Sequence, residues 1–233
     1  EPMGKRLKGI RLDSGDLAYL SKEARKQLDE AGLNDCIIVA SNSLDEYTIT
    51  SLNRQEARID SYGVGEKLIT SFTTPVFGAV YKLAAVEKDG AFVPKIKISE
   101  TIEKITNPGI KEIYRVYDKD GKAIADYLTV KGEEIDTAHP VRYVDPKHYW
   151  KDRNFVDCTF KPLQKQIFKD GKLVYELPGL EEIRSYVKKQ LEHEIWKEEQ
   201  RFENAHPHYL DMSPAMFELK MGLLHESSAS DNA

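Results

Sequence analysis

The stretch GIRLDSGDL, residues 9–17, decides how the first part of this chain folds. Its first four residues form a short apolar run that predicts a buried strand. The turn cluster at 13–16 ends in Asp16, a residue type that favours the start of a helix. Leucines and alanines then recur at helical spacing as far as Ala31, and Gly32 follows where a helix is expected to end. The stretch therefore predicts a strand, a loop and a helix in succession.

The same succession continues along the next thirty or so residues. Residues 36–40 form an apolar run without polar alternation, which is typical of a strand covered on both faces. The spacing of Ser43 and Glu46 is that of a capping box and predicts the start of a second helix. A third predicted strand, about 59–62, leads into Gly-Val-Gly at 63–65. Repeated units of this kind predict a parallel sheet or barrel, whose sites form at the carboxyl ends of the strands.

Beyond Lys88 the pattern changes to strand-rich sequence. The tetrapeptide Asp-Lys-Asp-Gly at 118–121 predicts a hairpin. We therefore predict two parts, a partial α/β barrel with substrate-binding loops over 1–88 and a β-rich region with a C-terminal helical segment over 89–233. The strand-like runs, rich in Val, Ile and Tyr, are 92–99, 112–117 and 123–130.

The last part of the chain predicts a helix and then disorder. Apolar residues recur at helical spacing from Leu180 to Phe202, after a start signal at Pro178 and Gly179. The tail from 225 to 233 is polar and rich in small residues, so it is predicted to be disordered.

Composition narrows the class of protein. Of the 233 residues, 40% are hydrophobic and 31% charged, a balance that excludes wholesale disorder. A formal charge of −5 argues against a dedicated nucleic-acid binder, and no apolar run approaches the ~20 residues of a membrane helix. Cys36 and Cys158 are too few for a disulfide framework, and residues 1–6 lack the apolar segment of a secretory signal. We expect a soluble cytoplasmic protein that binds neither nucleic acid nor membranes.

Residues at the predicted strand ends suit a phosphorylated sugar. Asp13 and Asp16 can accept hydrogen bonds from ribose hydroxyls or hold hydrated Mg²⁺, although for Asp16 a simple helix cap is the preferred interpretation. Arg11 is a charge inside an apolar strand, so it is either functional or paired in a structural salt bridge. Gly63 and Gly65 either let backbone N–H groups approach an anion or form an ordinary tight turn.

Three other groups are weaker candidates. His206-Pro207-His208 has the spacing of two metal ligands, but no carboxylate or cysteine cluster supports it, and a surface loop is preferred. Glu192-His193-Glu194 is predicted to form a solvated helix face. No basic patch accompanies four aromatic residues, which are therefore expected in a core or an interface rather than in base stacking: Tyr143, Tyr149, Trp150 and Phe155.

Several segments resemble the nicotinate phosphoribosyltransferase family. The string at 9–17 is similar to a signature of that family, and the match covers nearly the whole chain but only the C-terminal part of the family's enzymes. It implies part of a phosphate-binding (β/α) barrel of the type II phosphoribosyltransferase kind, followed by a β-rich region and C-terminal helices. The other matching segments, in chain order, are 40–46, 62–65, 68–71, 78–83, 97–100, 104–109 and 201–204.

The resemblance also implies a reaction. Members of the family join nicotinate to phosphoribosyl pyrophosphate, forming nicotinate mononucleotide and pyrophosphate, while ATP is hydrolysed with Mg²⁺. The full-length enzyme is expected to be a homodimer. The histidine that ATP phosphorylates lies upstream in the family, and none of the six histidines here lies in a matching motif. The resemblance thus implies neither a catalytic residue nor a metal ligand in this chain, which is expected to be inactive by itself.

The resemblance assigns substrate-binding roles to particular positions. Arg11 would contact substrate, Asp13 would lie on the ribose or pyrophosphate side, and Asn42 would lie in the next strand-end loop. Gly63 and Gly65 would form the phosphate cradle. Many members have a threonine after this Gly-x-Gly, whereas this chain has Glu66, which would repel a phosphate unless it points away or binds Mg²⁺ or ribose.

Two alternatives stay open at this point. A nicotinamide or quinolinate phosphoribosyltransferase of similar fold is the nearest enzymatic alternative, because the base-selecting residues lie mainly outside this segment. A non-catalytic module that binds phosphorylated sugars would use the same fold without the reaction.

Overall fold

The computed structural model describes residues 7–76, 78–101, 104–151 and 153–230, the side chains of 227–230 excepted. The chain divides into two units, Glu1–Val80 and Tyr81–Ala233. The division therefore falls after Val80, whereas the sequence places the boundary after Lys88. Within the described ranges, no helix is both long enough and apolar enough to cross a membrane.

Unit 1 is a small parallel sheet with helices between its strands. Its strands lie in the order β1-β2-β3, and both pairings are parallel, so all three carboxyl ends meet at one edge. The predicted parallel sheet is thereby confirmed as a mixed α/β arrangement of three strands. The elements are β1 (Gly9–Leu12), α1 (Leu17–Glu30), β2 (Ile37–Ala40), α2 (Glu46–Arg54), β3 (Ser61–Tyr62) and α3 (Glu66–Ile69).

Local capping explains where the helices of unit 1 begin and end. The carboxylate of Asp16 accepts a hydrogen bond from the Tyr19 N–H at 3.0 Å, which confirms the predicted cap of α1. Gly32 has φ +72°, as expected just after a helix end.

The predicted capping box of α2 is wrong. Asp45 rather than Ser43 caps this helix, and its carboxylate accepts from the Thr48 N–H at 2.7 Å. Ser43 has φ +48°, whereas an N-cap residue needs an extended backbone, which Asp45 provides with φ −142°.

The core of unit 1 lies on one face of its sheet. Ile38 and Ala40 of β2 are fully buried and pack against α1 and α2, through Leu28 and Leu52 among others. Ile37, which points the other way, is about half exposed. The prediction that β2 is covered on both faces is therefore wrong for Ile37, because both helices pack on the opposite face.

Unit 2 is rich in β-strands. Its main sheet has the order β10-β6-β7-β13, in which β13 runs parallel to β7 and the other neighbours are antiparallel. The predicted hairpin at 118–121 joins β6 to β7. The elements are β4 (Ala85–Lys88), β5 (Ala91–Pro94), β6 (Lys111–Tyr117), β7 (Ala123–Val130), β8 (Val141–Tyr143), β9 (Arg153–Phe155), β10 (Thr159–Pro162), β11 (Phe168–Lys169), β12 (Lys172–Leu173), α4 (Leu180–Lys189), β13 (Leu210–Met212) and α5 (Pro214–Ser230).

An aromatic cluster forms much of the core of unit 2. Phe155 lies edge-on to Tyr127, with ring centroids 5.7 Å apart, and stacks on Tyr143 at 4.1 Å. The hydroxyl of Tyr127 donates to the carbonyl of Arg142 at 3.0 Å, which satisfies the polar end of a buried ring. Two of the four aromatic residues expected in a core or interface are thus in the core, whereas Tyr149 and Trp150 are exposed.

The helix that begins at Leu180 is shorter than its apolar pattern predicts. Helix α4 ends at Lys189 and continues as a π-helical segment over Gln190–Glu194 rather than reaching Phe202. Glu194 is buried there and accepts from the Tyr117 hydroxyl at 2.7 Å and from Gln190 at 2.5 Å. The predicted solvated face is therefore wrong for Glu194, because hydrogen-bond donors from two elements surround its carboxylate.

The predicted disorder of the tail is wrong for residues 225–230. Helix α5 extends through Ser230, while residues 231–233 lie outside the described ranges. The Ser213 hydroxyl accepts from the Met216 N–H at 3.1 Å, and the fully buried Met216 packs against β7. Capping and packing at its start anchor a helix that continues into the polar residues.

Candidate functional site

Arg11 connects the first two strand-end loops of unit 1. Its Nη2 donates to Oδ2 of Asp13 at 2.7 Å, and its Nη1 donates to the hydroxyl of Ser41 at 3.1 Å. Because side chains alternate along a strand, Arg11 points away from the face on which Ile10 and Leu12 pack. The expectation of a buried charge is therefore wrong, since 64% of the Arg11 side chain is exposed.

This geometry bears on both interpretations of Arg11, as a functional residue and as a partner in a structural salt bridge. It does form a salt bridge with Asp13, but that pair is exposed, and exposed ion pairs contribute only about 0–1 kcal/mol to stability. The guanidinium has five N–H donors, of which Asp13 and Ser41 engage two. The ion pair therefore orients a cation whose other donors can reach a ligand at this edge.

The loop after β2 has an unusual backbone. Asn42 and Ser43 have φ of +92° and +48°, two consecutive non-glycine residues in the left-handed region. Such conformations cost free energy and persist where the surroundings impose them. Leu44, which is almost fully buried, anchors the loop from below, and the Asn42 side chain is left exposed.

The loop after β3 lies against the loop after β2. The N–H of Gly63 donates to the carbonyl of Ala40 at 2.7 Å, so this N–H is engaged within the sheet. A Cβ at Gly63 would lie 3.5 Å from the Cβ of Ser41, which is ordinary van der Waals contact. Gly65 precedes the four-residue helix α3, and a Cβ there would meet nothing within 4 Å. Glu66 is exposed in the first turn of that helix.

The structure thus brings some of the predicted site residues together. The contacts join Arg11, Asp13, Ser41 and Gly63 at one edge, with Asn42 next to Ser41 in the chain. No contact of this kind places Gly65 or Glu66 in the same cluster among the described residues. Their predicted roles stay predictions.

Asp45 and Lys67 form a second polar feature near these loops, which the sequence pattern alone does not predict. Lys67 Nζ lies 2.5 Å from Oδ2 of Asp45. This hydrogen bond, together with the Thr48 N–H, holds the pKa of Asp45 well below its usual range. Both residues line a cavity of about 350 Å³ whose walls include Val64, Leu68 and Phe72. The available signal was the charge at 67, directly after the Gly-x-Gly-Glu string.

The described residues contain no obvious metal centre. Within these ranges, no group of three or more His, Cys, Asp or Glu side chains is arranged to hold an ion. In the His-x-His motif, the ring of His208 lies 3.3 Å from Asp126 and 3.2 Å from Glu199. The hydrogen bond that the His208 ring donates to the carboxylate of Asp126 raises the pKa of His208, so this histidine belongs to an ion-pair network in unit 2.

Comparison with known proteins gives consistent matches. Residues 110–220 match the family model described as the nicotinate phosphoribosyltransferase C-terminal domain. Over 94% of this chain, the sequence is 43% identical to the nicotinate phosphoribosyltransferase of Bacillus subtilis. Over 93% of this chain, it is 34% identical to that of Caenorhabditis elegans. These alignments cover 44% and 39% of the two relatives, so the chain spans about two fifths of their length.

Solved structures agree with these relatives. The crystal structure of human nicotinic acid phosphoribosyltransferase matches with a TM-score of 0.71 and 25% identity, over 93% of this chain and 40% of that one. A nicotinate-nucleotide pyrophosphorylase from Pyrococcus furiosus matches with a TM-score of 0.51 at 22% identity, over 82% of this chain and 41% of that one, which shows a shared fold alone.

The fold and the strand-edge cluster define a mixed α/β protein of the phosphoribosyltransferase type, with polar loops at the carboxyl ends of its parallel strands. Within that class, the chain matches the C-terminal part of the nicotinate phosphoribosyltransferase family.

Proposed function

We propose that this chain supplies the edge that binds phosphoribosyl pyrophosphate in a nicotinate phosphoribosyltransferase. The whole protein would form nicotinate mononucleotide and pyrophosphate from nicotinate and phosphoribosyl pyrophosphate, in the biosynthesis of NAD. The observation that carries the proposal is the exposed Arg11 guanidinium, oriented by Asp13 and Ser41 at the strand ends of a chain 43% identical to such an enzyme. The three-stranded sheet would be one part of a phosphate-binding barrel.

The chemistry of the reaction suits this arrangement. The bond from the anomeric carbon of the ribose to the pyrophosphate oxygen breaks, and a bond from that carbon to the ring nitrogen of nicotinate forms. Positive charge develops at the carbon and negative charge on the departing pyrophosphate. A fixed guanidinium can stabilise that anion, or the carboxylate of nicotinate, through charge-assisted hydrogen bonds. Asp13 would hold the guanidinium in place, so little reorganisation is needed at the moment of reaction.

The proposal includes ATP and Mg²⁺ only because members of the resembled family use them. Asp13 is paired with Arg11 and Asp16 caps α1, so neither carboxylate is free to act as a dedicated metal ligand. No step is therefore assigned to a metal ion held by this chain. We further propose that the whole enzyme is a cytoplasmic homodimer and that the isolated chain has no turnover, because the phosphorylated histidine of the family lies outside the matched segment.

A titration of the isotope-labelled chain with phosphoribosyl pyrophosphate, followed by NMR, tests the binding edge. We expect saturable chemical-shift changes at the Arg11 side chain and at the amides of Asp13 and Asn42, since these groups face the same edge. Arg11→Lys should weaken this binding about tenfold or more, because lysine lacks the planar fork.

Arg58→Lys is the matched control. Arg58 is exposed and precedes β3, at the opposite end of the sheet, so this variant should bind like the parent chain. Equal weakening in both variants, or shifts confined to residues elsewhere in the chain, would exclude the strand edge as the binding site.

A further inference from the structure

Unit 2 contains a cavity that the proposed function does not use. Its volume is about 390 Å³, and residues of β7, β8, β9 and β13 form most of its wall. The polar and aromatic residues that matter for the argument are Asp118, Tyr143, Arg153, Asn154, Tyr209 and Asp211.

Asp211 is the unusual member of this wall. It lies in the middle of β13 and is only 6% exposed, yet no N–H or O–H of the described residues donates a hydrogen bond to its carboxylate. Burial, reinforced by the nearby carboxylate of Asp145, raises the pKa of Asp211 to about 6. Buried carboxylates are costly unless they are paired and hydrogen-bonded, so this group lacks a partner.

Arg153, the cation in the cavity wall, does not act as the missing partner of Asp211. Arg153 lowers the pKa of Asp211, but its influence is smaller than those of burial and Asp145, which both raise that pKa. Its Nη1 lies 3.9 Å from Oδ2 of Asp145, an oxygen that also meets His148 at 2.7 Å. With Asp118 and Asp211 in the wall and Asp145 beside it, carboxylates outnumber the guanidinium.

The rest of the wall suits an apolar body. Tyr143, Phe155 and Tyr209 line the cavity. Aromatic faces carry partial negative charge and attract cations within about 6 Å. The cavity thus combines an unpartnered carboxylate with aromatic surface, inside a volume that fits a molecule smaller than a typical drug.

We propose that this cavity binds a small organic cation whose ammonium group donates to Asp211 and whose apolar part lies against the aromatic wall. The ammonium group of the ligand donates the hydrogen bonds that the Asp211 carboxylate does not receive from the described residues. The identity of the physiological amine is open to a screen, but the charge and the size of the ligand follow from the cavity.

Three probes of equal size test the proposal by NMR titration of the 233-residue chain at pH 7.5. Benzylammonium carries the positive charge, benzyl alcohol is its neutral analogue, and benzoate reverses the charge. We expect saturable shift changes at Asn154, Tyr209 and Asp211 with benzylammonium. Its affinity should exceed that of benzyl alcohol about tenfold or more, the ratio that corresponds to one charge-assisted hydrogen bond of about 1.4 kcal/mol.

Two variants make the test specific. Asp211→Asn should abolish the preference for benzylammonium over benzyl alcohol, whereas Asp136→Asn, at an exposed turn outside the cavity wall, should leave it unchanged. If Asp211→Asn does not fold, Tyr209→Ala replaces it, since Tyr209 is half exposed and its loss should weaken all ring-bearing probes.

The contradicting outcomes are equally definite. Equal affinity for benzylammonium and benzyl alcohol, an unchanged preference in Asp211→Asn, or no saturable shift with benzylammonium would each overturn the proposal. In the last case the cavity holds water only.

Discussion

Arg11→Lys is expected to lower kcat/KM for nicotinate by about 10- to 150-fold in a protein of the relatives' full length that contains this chain. Lysine keeps the charge but loses the planar fork that can hold an anion through parallel hydrogen bonds. It also cannot span from Asp13 to Ser41 as the two Nη atoms of Arg11 do. Hydrogen bonds to charged groups contribute roughly 1.5–3 kcal/mol, which gives this range when one is lost in the transition state.

Kinetics and thermal unfolding of the same Arg11→Lys preparation separate a functional role from a structural one. Because the Arg11–Asp13 pair is exposed, its loss should change the thermal midpoint little. Arg58→Lys serves again as the control, with kinetics like the parent. Near-normal kcat/KM combined with a clearly lowered midpoint would show that Arg11 is a structural residue.

Asp211→Asn is expected to stabilise the chain by about 3 kcal/mol at pH 7.5 in the absence of a ligand. The folded pKa of about 6 lies above the ordinary value of 3.8, so the folded state binds the proton more tightly than the unfolded state. Above pH 6 the ionised carboxylate is therefore a net cost, and each pKa unit corresponds to 1.36 kcal/mol. The asparagine cannot ionise and avoids this cost.

The pH dependence of that stabilisation gives its signature. As the pH falls through 6 towards 3.8, Asp211 becomes protonated in the folded chain, so the advantage of the variant should shrink and vanish near pH 4. Urea unfolding of both proteins between pH 4 and pH 8 measures it. Asp136→Asn should show no stabilisation, because the hydrogen bond from His139 lowers the pKa of Asp136 instead. A variant that is less stable than the parent at pH 7.5 would mean that Asp211 has a partner in the folded chain.

The sequence predicts unit 1 well because its signals are local. The apolar run at 9–12, the cap at Asp16 and the glycine at 32 each act within a few residues, and the structure confirms the strand, the cap and the helix end, although the strand is only partly buried. The cap of α2 was misassigned because Ser43 and Asp45 both suit that position. The positive φ of Ser43 decides between them, and the sequence gives no sign of that angle.

The errors in unit 2 arise from contacts between distant parts of the chain. Glu194 looks like a solvated helix residue, but its partner Tyr117 lies 77 residues away in sequence. In the sequence, Asp211 is a polar residue shortly before a helix. It is buried because β13 packs beside β7. Periodicity carries no information about such pairings, so neither residue could be placed from the sequence.

In the candidate site too, the sequence predicts the features that depend on local signals and does not predict those that depend on packing. The strand ends, and hence the proximity of the loops after β1 and β2, follow from the predicted parallel sheet. The orientation of Arg11 does not, because a short apolar run suggests burial while side-chain alternation exposes every second residue. The salt bridge between Asp45 and Lys67 needed the positions of two helix starts that the sequence locates only approximately.

The most direct test of the proposed function is pyrophosphate release by a protein of the relatives' full length that contains this chain, with phosphoribosyl pyrophosphate and one of three bases: nicotinate, nicotinamide or quinolinate. Our account predicts release with nicotinate, little or none with the other two, and none from the isolated 233-residue chain with any base. Turnover by the isolated chain would show that the catalytic residues lie within it. Release that is equal for all three bases, or absent with nicotinate, would contradict the assignment as a nicotinate phosphoribosyltransferase.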